Sequence, residues 1–251
     1  MTPMAASLIV IAVFLASCAL WVRLLVAWRR SGDLLRSSLG ASLSPGRGAV
    51  VFVWGWVGYQ FALSLLLPER TAEPSLNLVI SSCLMNALVL ALLVTMLRFQ
   101  ASVPPELFGA SAGAFRRQVL IGVGGFIAAM APVDLVLWST IPLRRGQPPH
   151  VLLRLLQSHP DFLTIAAVVL AAVILAPAVE ELMFRVVMQS WLRQQVGPPR
   201  ALLLTALVFV GMHGPRDAVA LIPLALVLGY VFERTGSFWA VAVTHSLFNS
   251  Y

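Results

Sequence analysis

Residues 162–185 read FLTIAAVVLAAVILAPAVEELMFR. From Phe162 to Val179 the segment is almost wholly apolar and long enough to enter a bilayer, and only then do Glu180, Glu181 and Arg185 appear. A charge at that depth costs ~2.5 kcal/mol or more, so two carboxylates and a guanidinium need a structural or a chemical reason to be there. On a helix, Glu181 and Arg185 lie one turn apart on one face and can pair. Glu180 is turned about 100° from Glu181 and points elsewhere. One carboxylate is thus clamped, while the other is free to act as a base beside an imidazole. Pro177 lacks an N–H, which loosens the backbone before the carboxylates and gives water a way in. The competing reading of this segment alone is an ion pair that holds helices together.

The rest of the chain agrees with a membrane setting. It has 251 residues, 59% of them hydrophobic and only 11% charged, with a mean hydropathy of +0.90. That composition lies outside the soluble globular range. Continuous apolar runs of roughly 18–22 residues argue for helices over a β-barrel, since a helix satisfies its own backbone in lipid. The expected fold is an all-α, polytopic membrane bundle of about eight transmembrane helices, with no room for a soluble domain. The net charge of +7 raises nucleic acid as a partner, but the arginines stand in loops between apolar runs, where orientation and lipid headgroups account for them. Cys18 and Cys83 lie inside apolar runs and read as packing residues.

Working outward, we expect spans at Met4–Leu20, Ala49–Leu67, Leu76–Leu97 and Gln118–Trp138, the last bent or broken at Pro132. Asp134 beside it is expected near the membrane surface. Basic residues follow the first run rather than precede it, so we read an uncleaved first helix with its N-terminus outside. Arg98–Arg117 reads as a loop. Between Leu143 and Asp161 the pattern of Val151, Leu152, Leu155 and Leu156 suggests a short amphipathic surface helix, with His150 and His159 solvated. Arg144, Arg145 and Arg154 fall on the wrong side for the orientation that the other loops favour. Gly197-Pro198-Pro199 is a break, and Ala201–Met212, Ala218–Phe232 and Phe238–Phe248 are shorter runs. We divide the single membrane domain into N-terminal helices, 1–142, and C-terminal catalytic helices, 143–251.

Three polar clusters stand in the apolar C-terminal half: Glu180-Glu181-x-x-x-Arg185, Phe209-x-x-x-His213 and His245-x-x-x-Asn249. His245 and Asn249 share a helical face. If the helices converge, one cavity holds a carboxylate, two imidazoles and an amide, which suits hydrolysis. In that reading Glu180 takes a proton from water, His213 holds and polarises the water, and His245 and Asn249 donate hydrogen bonds to the oxyanion. The ordered set resembles the signature of the CAAX protease and bacteriocin-processing family of intramembrane endopeptidases, which includes the Rce1-type proteases. The resemblance covers roughly Phe162 to Asn249. It implies an eight-helix bundle and a glutamate-dependent mechanism with these same four residues, supported by Glu181 and Arg185, with Phe209 as a motif position.

The substrate expected from this is a membrane-associated peptide or protein, and prenylation is not implied. Short loops and the lack of a eukaryotic targeting tail point to the bacterial inner membrane, with lipid as the other partner and no nucleic acid. No cofactor is required. Two alternatives stay open. A zinc protease would use Glu180, His213 and His245 as ligands, although no H-E-x-x-H is present. A non-enzymatic partner-binding or immunity protein would use the clusters to join helices. A transporter is disfavoured because no inverted repeat is visible.

Overall fold

The computed structural model describes residues 3–31, 43–66, 75–99, 105–108, 111–144 and 151–251. Within them the apolar runs form helices: α1 Pro3–Ser31, α2 Arg47–Leu66, α3 Leu76–Arg98, α4 Ala112–Ser139, α5 Ile141–Arg144 and α6 Val151–Ser158. The glutamate segment is α7, Phe162–Val196, and α8 Pro198–Gly211, α9 Gly214–Thr235 and α10 Phe238–Ser250 follow. Among the described residues, six helices are long and apolar enough to cross a membrane. The 14-residue α8 and the 13-residue α10 are shorter, so the expected count of about eight spans is not reached by length and composition among the described residues. His150 and Arg145, read as part of a surface segment, lie outside the described residues.

Helix ends follow local chemistry. Ser75, Ser111, Asp161 and Ser237 each accept a hydrogen bond from a backbone N–H in the first turn, as N-caps do. Gly197 and Gly236 end α7 and α9 with φ of 81° and 61°, a region that costs other residues strain. At the exposed start of α7, hydrogen bonds from the Thr164 hydroxyl and N–H hold the Asp161 carboxyl below its ordinary range. A carboxyl lowered in the folded state stabilises above its unfolded pKa and loses that contribution as pH falls through the folded one. Asp161→Asn should therefore abolish a small acid-limb decline in melting temperature between about pH 4 and a lower value. Melting curves of both forms over that range would test this.

Of the bend or break expected at Pro132, the break is absent: α4 runs through it as one helix. A proline leaves the carbonyl four residues back without its donor. Here that carbonyl is Ala128 O, and it accepts from Trp21 Nε1 of α1 at 2.8 Å. Ser17 Oγ, also on α1, accepts from the Ala131 N–H at 3.0 Å. The broken ladder is thus repaired by a neighbouring helix, which is how transmembrane prolines are tolerated. Asp134, two residues on in the same helix, is buried against the bundle.

The C-terminal helix α10 packs closely on α4. Thr244 Oγ1 donates to Gly122 O at 3.0 Å, and a side chain added at Gly122 or Gly125 would collide with Val243 or Thr244. Small residues at such a crossing let two backbones approach. Gly125→Leu should push α10 away and destabilise the fold by at least 1–3 kcal/mol, the usual cost of overpacking. A chemical-denaturation midpoint in detergent micelles checks this, and an unchanged midpoint would mean the contact is slack.

Candidate active site

α7 is not a uniform α-helix. Two π-helical stretches, Leu170–Leu175 and Leu182–Gln189, bracket the α-helical turn Ala176–Glu181 that carries both glutamates. Such wide turns are frequent at functional sites. The first has a chemical cause in Pro177. The Ala176 N–H reaches back five residues to Ala171 O, so the next carbonyl, Ala172 O, would look to residue 177 for a donor and finds a proline. Asn249 Nδ2 of α10 donates to Ala172 O instead, at 2.8 Å. Asn249 therefore ties α10 to the helix that bears the glutamates and keeps one amide N–H in hand.

Glu180 Oε2 lies 3.8 Å from His213 Nε2 and 3.8 Å from His245 Nε2. Three helices thus bring their polar residues to one point, the convergence that the sequence reading had left as a condition. His213 stands just past the end of α8, and its Nδ1 is 2.8 Å from Phe209 O. A carbonyl only accepts, so Nδ1 carries the hydrogen and a neutral ring offers the bare Nε2 towards Glu180. His245 Nδ1 is likewise 2.8 Å from Glu181 Oε1, so in the neutral ring its Nε2 is bare as well. Three lone-pair atoms then face one another with no donor between them. Glu180 Oε2 has no hydrogen-bond partner among the described residues.

Beneath this triangle is a buried clamp. Glu181 and Arg185 are fully buried, with Arg185 Nε 3.3 Å from Glu181 Oε2. The Arg185 guanidinium lies over the Phe209 ring, 5.0 Å from its centroid, a cation–π arrangement. Phe209 also contacts the His213 ring at 4.5 Å and the His245 ring at 5.7 Å between centroids. One aromatic ring therefore supports the cation and both imidazoles, a physical reason for an aromatic residue one turn before His213. Glu181 orients His245 as a carboxylate orients a catalytic or metal-bound histidine elsewhere.

Access follows the same division. The Glu180 and His213 side chains are 27% and 28% exposed, whereas His245 is almost wholly covered. Glu180 Oε2 itself is buried, so a water bridging it to His213 Nε2 across their 3.8 Å gap needs the two side chains to part. His159, by contrast, is exposed at the end of α6 beside Ser158 and takes no part. Among the described residues, no group of three or more His, Cys, Asp or Glu side chains is arranged to hold a metal ion.

A second buried polar cluster escaped the sequence reading. Glu233 of α9 is fully buried, and its Oε1 accepts from Arg193 Nε at 2.7 Å. Its Oε2 accepts from Gln189 Nε2 at 3.3 Å, and Gln189 also donates to Gly229 O. The signal was present, because Glu181, Arg185, Gln189 and Arg193 recur every fourth residue along α7. Only the partner on α9 required the fold to be seen.

Residues 162–251 match the family model described as Type II CAAX prenyl endopeptidase Rce1-like. No curated protein and no solved structure matches the chain. The matched segment is the part of the bundle that contains every residue of the triangle and of the clamp. Across residues 162–251, within an all-helical membrane bundle, this chain is similar to the Rce1-like CAAX protease family.

Proposed function

We propose that the chain is an intramembrane endopeptidase that cleaves a membrane-associated peptide or protein with water activated by Glu180. The observation that carries this reading is the meeting of Glu180 Oε2 with two histidine Nε2 atoms at 3.8 Å, with no protein donor between them. A water there gives one hydrogen to Glu180 and the other to His213, which aims its oxygen lone pair outward at a carbonyl carbon. As the water attacks, Glu180 takes the proton that leaves it. The tetrahedral oxyanion is met by the remaining Asn249 N–H and by His245 once its Nε2 carries a proton, with the Glu181 carboxylate balancing the ring's charge. Collapse expels the amine, which receives the proton held by Glu180. Glu181 and Arg185 keep His245 in place and touch no substrate.

The substrate is proposed to be a peptide at the membrane of a bacterial cell, without a requirement for prenylation. Processing of a co-expressed membrane peptide, with and without a chelator, tests the reading against a zinc enzyme. Cleavage unchanged by chelation supports a Glu180-activated water, and cleavage abolished by chelation and restored by zinc rejects it. A protein that only binds the peptide would leave it intact in both samples.

A further inference from the structure

A cavity of about 530 Å3 opens beside the catalytic helices, on the side away from the triangle. One wall is a stripe of α3, with Leu90, Val94 and Arg98 one turn apart. That stripe runs about 12 Å along the helix axis, at 1.5 Å per residue. Facing it, Ile174, Ala178 and Leu182 repeat at the same spacing along α7, and Ala242 and Ser246 come from α10. Trp239 and Phe108 line the cavity too, and the indole N–H is already occupied, donating to Phe108 O at 2.8 Å. The polar side-chain groups left on the lining are the Ser246 hydroxyl and the exposed guanidinium of Arg98, in the last turn of a membrane-spanning helix.

The geometry points to an anionic phospholipid as the occupant, with one acyl chain along the cavity and its headgroup phosphate against Arg98. An extended peptide brings an N–H and a C=O with every residue, and helical walls whose backbone is already bonded leave these unsatisfied at a cost of several kcal/mol each. A hydrocarbon chain has nothing to satisfy and gains by filling apolar space. The cation stands where α3 ends, at the level of headgroups, and its charge selects an anion. A chain in this position rests on the Ala178–Leu182 turn of α7 and so packs against the turn that carries the glutamates.

The test is native mass spectrometry of the full chain taken from vesicles of equal phosphatidylglycerol and phosphatidylcholine with identical acyl chains. One retained phosphatidylglycerol per chain is expected, preferred about five-fold over phosphatidylcholine, the ratio that ~1 kcal/mol per basic side chain gives. Arg98→Gln should erase the preference and leave a lipid bound, while Val94→Trp, which fills the cavity, should remove the lipid. Equal retention of both lipids by the native chain overturns the headgroup assignment, and unchanged retention by Val94→Trp overturns the site. If Val94→Trp fails to fold, trace phosphatidylglycerol with brominated chains in phosphatidylcholine vesicles serves instead. Its quenching of the native chain should exceed that of Trp239→Phe, and equal quenching overturns the proposal. The readout is bound lipid, so it stands or falls apart from peptide cleavage.

Discussion

Glu180→Gln is expected to lower the cleavage rate by about a hundred- to ten-thousand-fold, the usual worth of a positioned general base. The amide matches the carboxylate in shape and occupies the same part-exposed position. It cannot take a proton from water. Since Glu180 Oε2 has no hydrogen-bond partner among the described residues, the substitution breaks no hydrogen bond of that oxygen, and the melting temperature should fall little. The loss should lie in kcat, with KM nearly unchanged, because the base acts only as the transition state forms. His213→Gln should produce a smaller loss of the same kind, since His213 steadies the water and does not accept its proton. A Glu180→Gln form that cleaves at the native rate would remove Glu180 from the chemistry.

Arg185→Met should instead destabilise the protein by about 3–5 kcal/mol, the range for breaking one partner out of a buried ion pair. Glu181 would be left fully buried, with His245 Nδ1 as its nearest donor. Methionine keeps the chain length and still packs on Phe209, so the loss reports the charge more than the volume. Activity should fall with stability because His245 loses the anchor of its orienting carboxylate. Replacing the pair together, Glu181→Gln with Arg185→Met, should recover part of the stability and none of the activity. Equilibrium unfolding in mixed micelles measures the first quantity and peptide cleavage the second. A double variant as unstable as the single one would show that the ion pair does not govern this region.

Much of the bundle was legible in advance because lipid imposes a simple rule: the backbone must satisfy itself, so long apolar runs become helices. The pairing of Glu181 with Arg185 followed from helical spacing, whereas the nearness of Glu180 to His213 and His245 stayed a condition until the helices were seen packed. What stayed hidden depends on neighbours. Pro132 reads as a break in a single chain, yet Trp21 supplies the donor that the proline withholds, from a helix more than a hundred residues away. The π-turn before the glutamates is implied by Pro177 only once Asn249 is known to reach Ala172 O. Likewise, Glu233 drew no reading from the sequence, and only the packing of α9 on α7 shows it buried against Arg193 and Gln189.

The central claim is that Glu180 activates water and does not itself attack the peptide. Cleavage by the purified native chain in 18O-enriched water, followed by mass analysis of product and enzyme, tests it most directly. The account predicts one 18O in the new C-terminal carboxylate and none in the Glu180 side chain after many turnovers. An 18O-labelled Glu180 would mean that the carboxylate forms a covalent intermediate that water then opens, and would contradict it.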